Sequence, residues 1–171
     1  ILLCLFAALV SSFYGIFCST ETSETGMNIS SVIQEINNEY DSKIDEIKSS
    51  GDYDEVEING IKANWKDILA VYAVKVTTDK DNPMEIATID ENKKSILLNI
   101  FWNMNIIDTK SEERTKTEEI KSTDEHGNEL ITVVETKIKV LTVTILGKTA
   151  IEVASQYYFD DEQNKYLDEL M

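Results

Sequence analysis

Two cysteines, one histidine, one proline and six glycines in 171 residues leave little material for several kinds of chemistry. Cys4 and Cys18 both fall in an apolar N-terminal stretch, and the sole histidine, His126, falls in a turn-like DEHGN stretch. A Cys/His dyad needs a thiolate beside an imidazole, so it has no candidate pair here. A His-based zinc site fails by count, and a disulfide framework has no cysteines in the remainder of the chain. So few glycines leave no G-x-S-x-G elbow, no phosphate-binding loop and no dinucleotide fingerprint. Positive charge is scarce as well: 16 basic residues against 32 acidic ones give a net charge of −16 and a pI of about 4.4. A phosphate backbone is bound through clustered Lys and Arg, so no nucleic-acid partner is expected, and anionic lipid headgroups are disfavoured on the same ground.

What is present is enough apolar material, 42% of residues, for a folded core. The length is about that of one domain. The charge is unevenly placed. Residues 21–60 carry 11 acids and 2 bases, residues 149–171 carry 6 and 1, and the stretch between them is nearly neutral.

Residues 1–18, ILLCLFAALVSSFYGIFC, form an uncharged run at the lower limit for a membrane-spanning helix. Two readings stand, an uncleaved signal anchor and a cleaved secretory signal. Under either, the bulk of the chain is extracytoplasmic and the expected localisation is the cell membrane. Phe17 is too large for the small residue a lipoprotein site needs before its cysteine. Residues 19–28 have linker composition. The apolar positions Ile29, Val32, Ile33, Ile36, Tyr40, Ile44 and Ile47 then follow spacings of three and four, which predicts an amphipathic helix to about Ser49. Its narrow stripe either packs on the following module or pairs with a second copy, so self-association through residues 29–47 is one expectation.

Glycines 51 and 60 bracket a short edge strand at residues 55–58. Asn64 is the expected N-cap of a helix reading WKDILAVYAVKV, apolar on nearly every side and therefore buried. Asp81, Asn82 and Pro83 mark a loop. Thr88 and Glu91 read as a capping box opening a second helix with Ile96, Leu97, Ile100, Phe101, Met104 and Ile107 on one face. Residues 109–148 switch to strand composition around Gly127–Asn128, a long β-hairpin whose outer part is a solvated ribbon and whose base, residues 140–146, is buried. The alternation slips a phase near Val140 and Leu141, which predicts a bulge or a twist onto a second face. Thr149 with Glu152, and Asp160 with Gln163, open two short helices, 150–158 and 161–171. With no starting methionine and no helix stop, the chain reads as a fragment.

Carboxylates are the one catalytic resource in excess, and glycan hydrolysis needs only two. Glu91, Glu119 and Glu135 are imaginable in that role, although Glu91 also serves as a cap and the other two as hairpin surface. Trp65, Trp102, Phe101 and Tyr72 fit core helix faces better than a glycan or peptide groove. The sequon Asn28–Ile29–Ser30 is consistent with chance. No catalytic, cofactor-binding or metal-binding residue is assigned, and no cofactor is expected.

The run NGIKANWKDILAVYAVKVTTDKDNPMEIATIDENKKSILLNIFWNMNIID (residues 59–108), the hairpin end VLTVTILGKTAIEVA and the tail YYFDDEQNKYLDELM resemble the N-terminal region of cell-wall hydrolases carried by conjugative transposons of clostridia and related Firmicutes. The resemblance implies a CHAP or NlpC-type peptidoglycan hydrolase domain downstream of Met171, and carries over no catalytic residue. It also implies peptidoglycan and conjugation-channel proteins as partners, with the membrane reached through residues 1–18.

The expectation is thus an α+β chain: a transmembrane or signal segment (1–20), an acidic linker with an amphipathic helix (21–60), and a small module (61–171) in which a helical hairpin packs with the β-hairpin and two short helices. The expected function is a non-catalytic tethering module of a wall hydrolase. The alternatives are a carboxylate-based, lysozyme-like muramidase and an extracytoplasmic adaptor without any enzyme domain.

Overall fold

The computed structural model describes residues 27–79, 83, 84, 86 and 89–171. The apolar segment 1–18 with both cysteines, most of the linker, and Asp81, Asn82 and Thr88 lie outside the described residues. No helix among the described residues is long and apolar enough to cross a membrane.

Those residues form an α+β fold of five helices and a three-stranded mixed sheet. In chain order the elements are α1 (Ile29–Lys48), β1 (Glu55–Ile61), α2 (Trp65–Thr77), α3 (Glu91–Met104), β2 (Asn105–Thr123), β3 (Glu129–Gly147), α4 (Ala150–Gln156) and α5 (Asp161–Leu170). Local chemistry sets the helix starts. The Asn28 side chain accepts the Ser30 amide at 2.8 Å, and Asn64 accepts that of Asp67 at 2.8 Å. Thr149–Glu152 and Asp160–Gln163 both form complete capping boxes.

α3 departs from the expected start. Its cap is Asp90, which accepts the Lys93 amide at 2.9 Å, so Glu91 is the first helical residue and not the third. The reason is tertiary. Buried Ile89 forms an isolated antiparallel bridge with Met27, whose amide it accepts at 2.8 Å, and a residue held extended cannot lie inside a helix.

One hydrophobic cluster joins the helices and the sheet. Val32, Ile36, Tyr40 and Ile44 of α1 are buried in it, so the amphipathic stripe is used within the chain. Every residue of α2 from Ile68 to Val74 is buried, as its all-round apolar sequence predicts. At about 1.5–3 kcal/mol per fully buried large aliphatic side chain, α2 is a major contributor to the core.

In the sheet β3 is central, parallel to β1 and antiparallel to β2. The β2–β3 register runs unbroken from Asn105↔Gly147 to Thr123↔Glu129, so the expected bulge is absent there and the phase slip marks two faces. Leu141 and Val143 join the core, while Val140 is equally buried on the opposite side. There Arg114 reaches from β2 across β3 to Glu57 of β1, with Nη1–Oε1 at 2.6 Å and Nη2–Oε2 at 3.1 Å. Gly60 lets β1 lie close to β3: its φ is +91°, and a Cβ there would sit 1.9 Å from the Ile145 carbonyl oxygen.

Candidate functional site

The aromatic residues converge where α1, α2 and α3 meet. Trp65 stacks on Phe101 with ring centroids 5.4 Å apart, and Phe101 meets Trp102 edge-on at 5.3 Å. Tyr40 of α1 closes the group, edge-on to Phe101 at 5.8 Å. The indole N–H groups are both used: Trp65 donates to Asn37 at 3.3 Å and Trp102 to Glu39 at 3.1 Å. Lys62 also donates to Asn37, at 3.0 Å, and lies over the Tyr40 ring. Sequence spacing placed Trp65, Phe101 and Trp102 on core faces and Tyr40 on the apolar stripe of α1; what it did not show is that Tyr40 meets these rings, which makes the set a clamp on α1. The Tyr40 hydroxyl is buried without a hydrogen-bond partner among the described residues, and burial, with Asp41 adding to it, raises its pKa. Tyr72 is fully buried in α2, and desolvation likewise holds its hydroxyl protonated.

Beside this clamp lies an open concavity of about 510 Å³, lined by Glu39, Lys43, Ile47, Trp102, Ile106 and Ile107 among others. Trp102 is the one expected aromatic that reaches it. Its floor is apolar, and its two charged groups are engaged, Glu39 by the Trp102 indole and Lys43 by Glu46 at 2.8 Å. Such a surface can accept an apolar side chain but positions no free acid beside a base.

The three carboxylates considered for glycan hydrolysis are scattered. Glu91 is exposed at the start of α3. Glu119 stands opposite Val133 and Glu135 opposite Thr117, so these two are diagonal neighbours on one exposed face of the ribbon. Glycosidase carboxylates flank a bound sugar across a cleft, roughly 5–9.5 Å apart. Neither the concavity beside Trp102 nor a second one of about 380 Å³ between α2 and the α4–α5 junction is lined by any of the three. His126 is exposed at the hairpin tip, where its backbone amide donates to Asp124 at 2.8 Å. No cluster of three or more potential metal ligands occurs among the described residues.

The best-held polar groups are ones the sequence did not single out for chemistry. Asp67, buried in the first turn of α2, accepts the amide of Ala150 at 3.2 Å and so supports the first turn of α4. Asn105 is buried, with its amide oxygen accepting from Ala63 N–H and its NH2 group donating to the Phe101 carbonyl. Arg114 hydrogen-bonds Glu57 and Glu112, which holds the Glu57 carboxyl below its usual range; for Glu112, Lys110 is the larger influence and Arg114 the second. At the rim of the second concavity, Tyr158 has φ +54° and is 91% exposed. It occupies the left-handed position that ends α4: its amide donates to Ser155 O at 3.3 Å and that of Phe159 to Ala154 O at 3.0 Å, the bond pattern of a Schellman motif. Glycine usually stands there, which is why the sequence carried no signal for it.

Compared with protein-family models, curated proteins and solved structures, the chain has no match in any of the three.

Proposed function

We propose that this chain is a non-catalytic, membrane-tethered module of a peptidoglycan-remodelling protein of a conjugative mobile element, holding a hydrolase domain at the cell wall. The observation that carries the reading is the use made of its fixed polar side chains. Asp67 joins α2 to α4, Gln163 of α5 donates to Thr78 beyond α2 at 2.7 Å, and Arg114 ties β2 to β1 across β3 through Glu57. Each spans two or more elements, so each adds rigidity. A spacer needs that rigidity, whereas a glycosidase needs carboxylates directed into a cleft.

The route of the tether supports the same reading. Met27, where the described chain begins, is bonded to Ile89, and α1 runs from there into the common core. Load arriving through the acidic linker would enter the fold at its core and not at a surface loop. The membrane segment rests on the uncharged run of residues 1–18, and the hydrolase domain on the resemblance of residues 59–108, of the hairpin end and of the tail to wall hydrolases of mobile elements.

Zymography on purified peptidoglycan tests the reading. The full chain is expected to give no clearing, and a clearing band would overturn the assignment in favour of the muramidase. Sequencing past Met171 is expected to find a cysteine motif followed by a spaced histidine. A stop codon there would favour the adaptor.

A further inference from the structure

β3 has 19 residues, but β1 pairs with it only from Glu55↔Val140 to Ile61↔Leu146. Residues 129–138 have β2 on one side and, among the described residues, no strand on the other. At about 3.3 Å per residue, the ribbon projects roughly 35 Å past the end of β1. The direction of its backbone groups is set at the inner end of this open lane. Lys139 donates its amide to the Asp54 carboxylate at 2.7 Å and accepts the Asp54 amide at 2.9 Å, so its backbone groups face the β1 side. Alternation along an unbroken strand then turns the N–H and C=O of Ile131, Val133, Glu135 and Lys137 into the same lane.

This edge is weakly protected. The segment LITVVE, residues 130–135, has one charge in six residues and high strand propensity. Ile131 and Val133 are 55% and 58% exposed, and Leu130 is similarly open. The β2 strand across the ribbon carries Glu112, Arg114, Lys116 and Glu118 at alternate positions, the charged pattern that keeps an edge from pairing.

We propose that the open edge of β3 pairs antiparallel with the same edge of a second copy, about a two-fold axis at Val133. The two ribbons then form one four-stranded sheet. The backbone groups facing the lane belong to odd-numbered residues, so only registers that pair odd with odd can form. Centred on Val133, Glu129 lies opposite the partner's Lys137 at both ends, Ile131 opposite the partner's Glu135, and Val133 opposite itself. The pairing spans residues 129–137 and stops short of position 139, which Asp54 holds. Centring on residue 132 sets Glu129 against the partner's Glu135, and centring on residue 134 brings residue 129 against position 139. In the favoured register Ile120, Leu130 and Val134 of both copies gather on one face of the joined sheet. This inference is independent of the spacer reading.

Sedimentation equilibrium of the full chain in mild detergent tests it. A dimer is expected. E129K alone sets Lys against the partner's Lys137, and K137E alone sets Glu against the partner's Glu129; each is expected to weaken the dimer about tenfold, two symmetric contacts changing sign. The double variant E129K/K137E restores opposite charges and is expected to recover the wild-type dissociation constant. In a chain with Cys4→Ser and Cys18→Ser, Val133→Cys should cross-link on mild oxidation, since facing Cα atoms in such a pair lie about 5.5 Å apart. Val134→Cys should not. A monomer at every concentration, a dimer indifferent to E129K, or preferential cross-linking through residue 134 would each overturn the proposal.

Discussion

The side chain of Asn105 accepts the backbone N–H of Ala63 at 2.8 Å and donates to the Phe101 carbonyl at 2.8 Å. Asn105 is the first residue of β2, directly after α3, and Ala63 lies in the connection from β1 to α2. One buried amide therefore fastens two chain crossings that are 42 residues apart. Gly147 belongs to the same junction, because a Cβ there would sit 2.5 Å from Ala63 N.

Asn105→Leu keeps the number and branching of the side-chain heavy atoms and removes both bonds. Two buried backbone groups lose their partners at about 1–3 kcal/mol each, so a loss of about 3 kcal/mol is expected in urea unfolding. Lys43→Ala, which breaks the exposed Lys43–Glu46 pair, is expected to cost under about 0.5 kcal/mol. Equal losses from the two variants would refute the role given to Asn105.

Two glycines with positive φ separate conformational strain from steric conflict. Gly127 has φ +83° and open space around it, so Gly127→Ala should cost only the left-handed backbone penalty, about 1–2 kcal/mol. Gly60 has φ +91° and the Ile145 oxygen in the way, so Gly60→Ala should cost several-fold more by displacing β1. Thermal unfolding of both variants checks the order.

Tyr158 is expected to be a stabilising site when changed. Its ring is almost wholly exposed and its backbone is left-handed. Tyr158→Gly should add about 1 kcal/mol, a rise in Tm of about 2–4 °C for a chain of this size. An unchanged or lowered Tm would mean that the ring makes contacts worth as much as the strain.

The Arg114 cluster has a defined pH signature. Arg114 holds Glu57, and with Lys110 also Glu112, below the ordinary value of 4.5. A carboxyl whose folded pKa lies below its unfolded one adds stability that is present above the unfolded value and lost as pH falls through the folded one. The Tm gap between wild type and Arg114→Met should therefore be flat above about pH 5 and narrow below pH 4.5. A gap that widens on acidification would contradict the assignment.

Legibility varied with the range of the interaction concerned. The Asn64 cap and both C-terminal capping boxes were readable because their partners lie within three residues. The hairpin was readable too, since its turn sits between two strand-like runs. The start of α3 was misplaced because Met27 holds Ile89 extended from 62 positions away in the sequence. The end of α3 was misplaced as well: the apolar spacing carried the helix on to Ile107, whereas the helix ends at Met104 and Asn105 opens β2, a break that an asparagine between Met104 and Ile106 does not signal locally.

By itself, the sequence determined the helices, the caps of α2, α4 and α5, the hairpin and the scarcity of Cys/His chemistry. These follow from composition and from neighbours in the chain. Only the tertiary structure decided that β1 runs parallel to the last strand, that Val140 is buried on the sheet face where Arg114 meets Glu57, and that α1 closes an aromatic clamp. It also left ten residues of β3 with no strand on one side among the described residues. Those outcomes depend on which distant segments meet, and meeting is settled by the burial of shared apolar surface, which no single stretch of sequence contains.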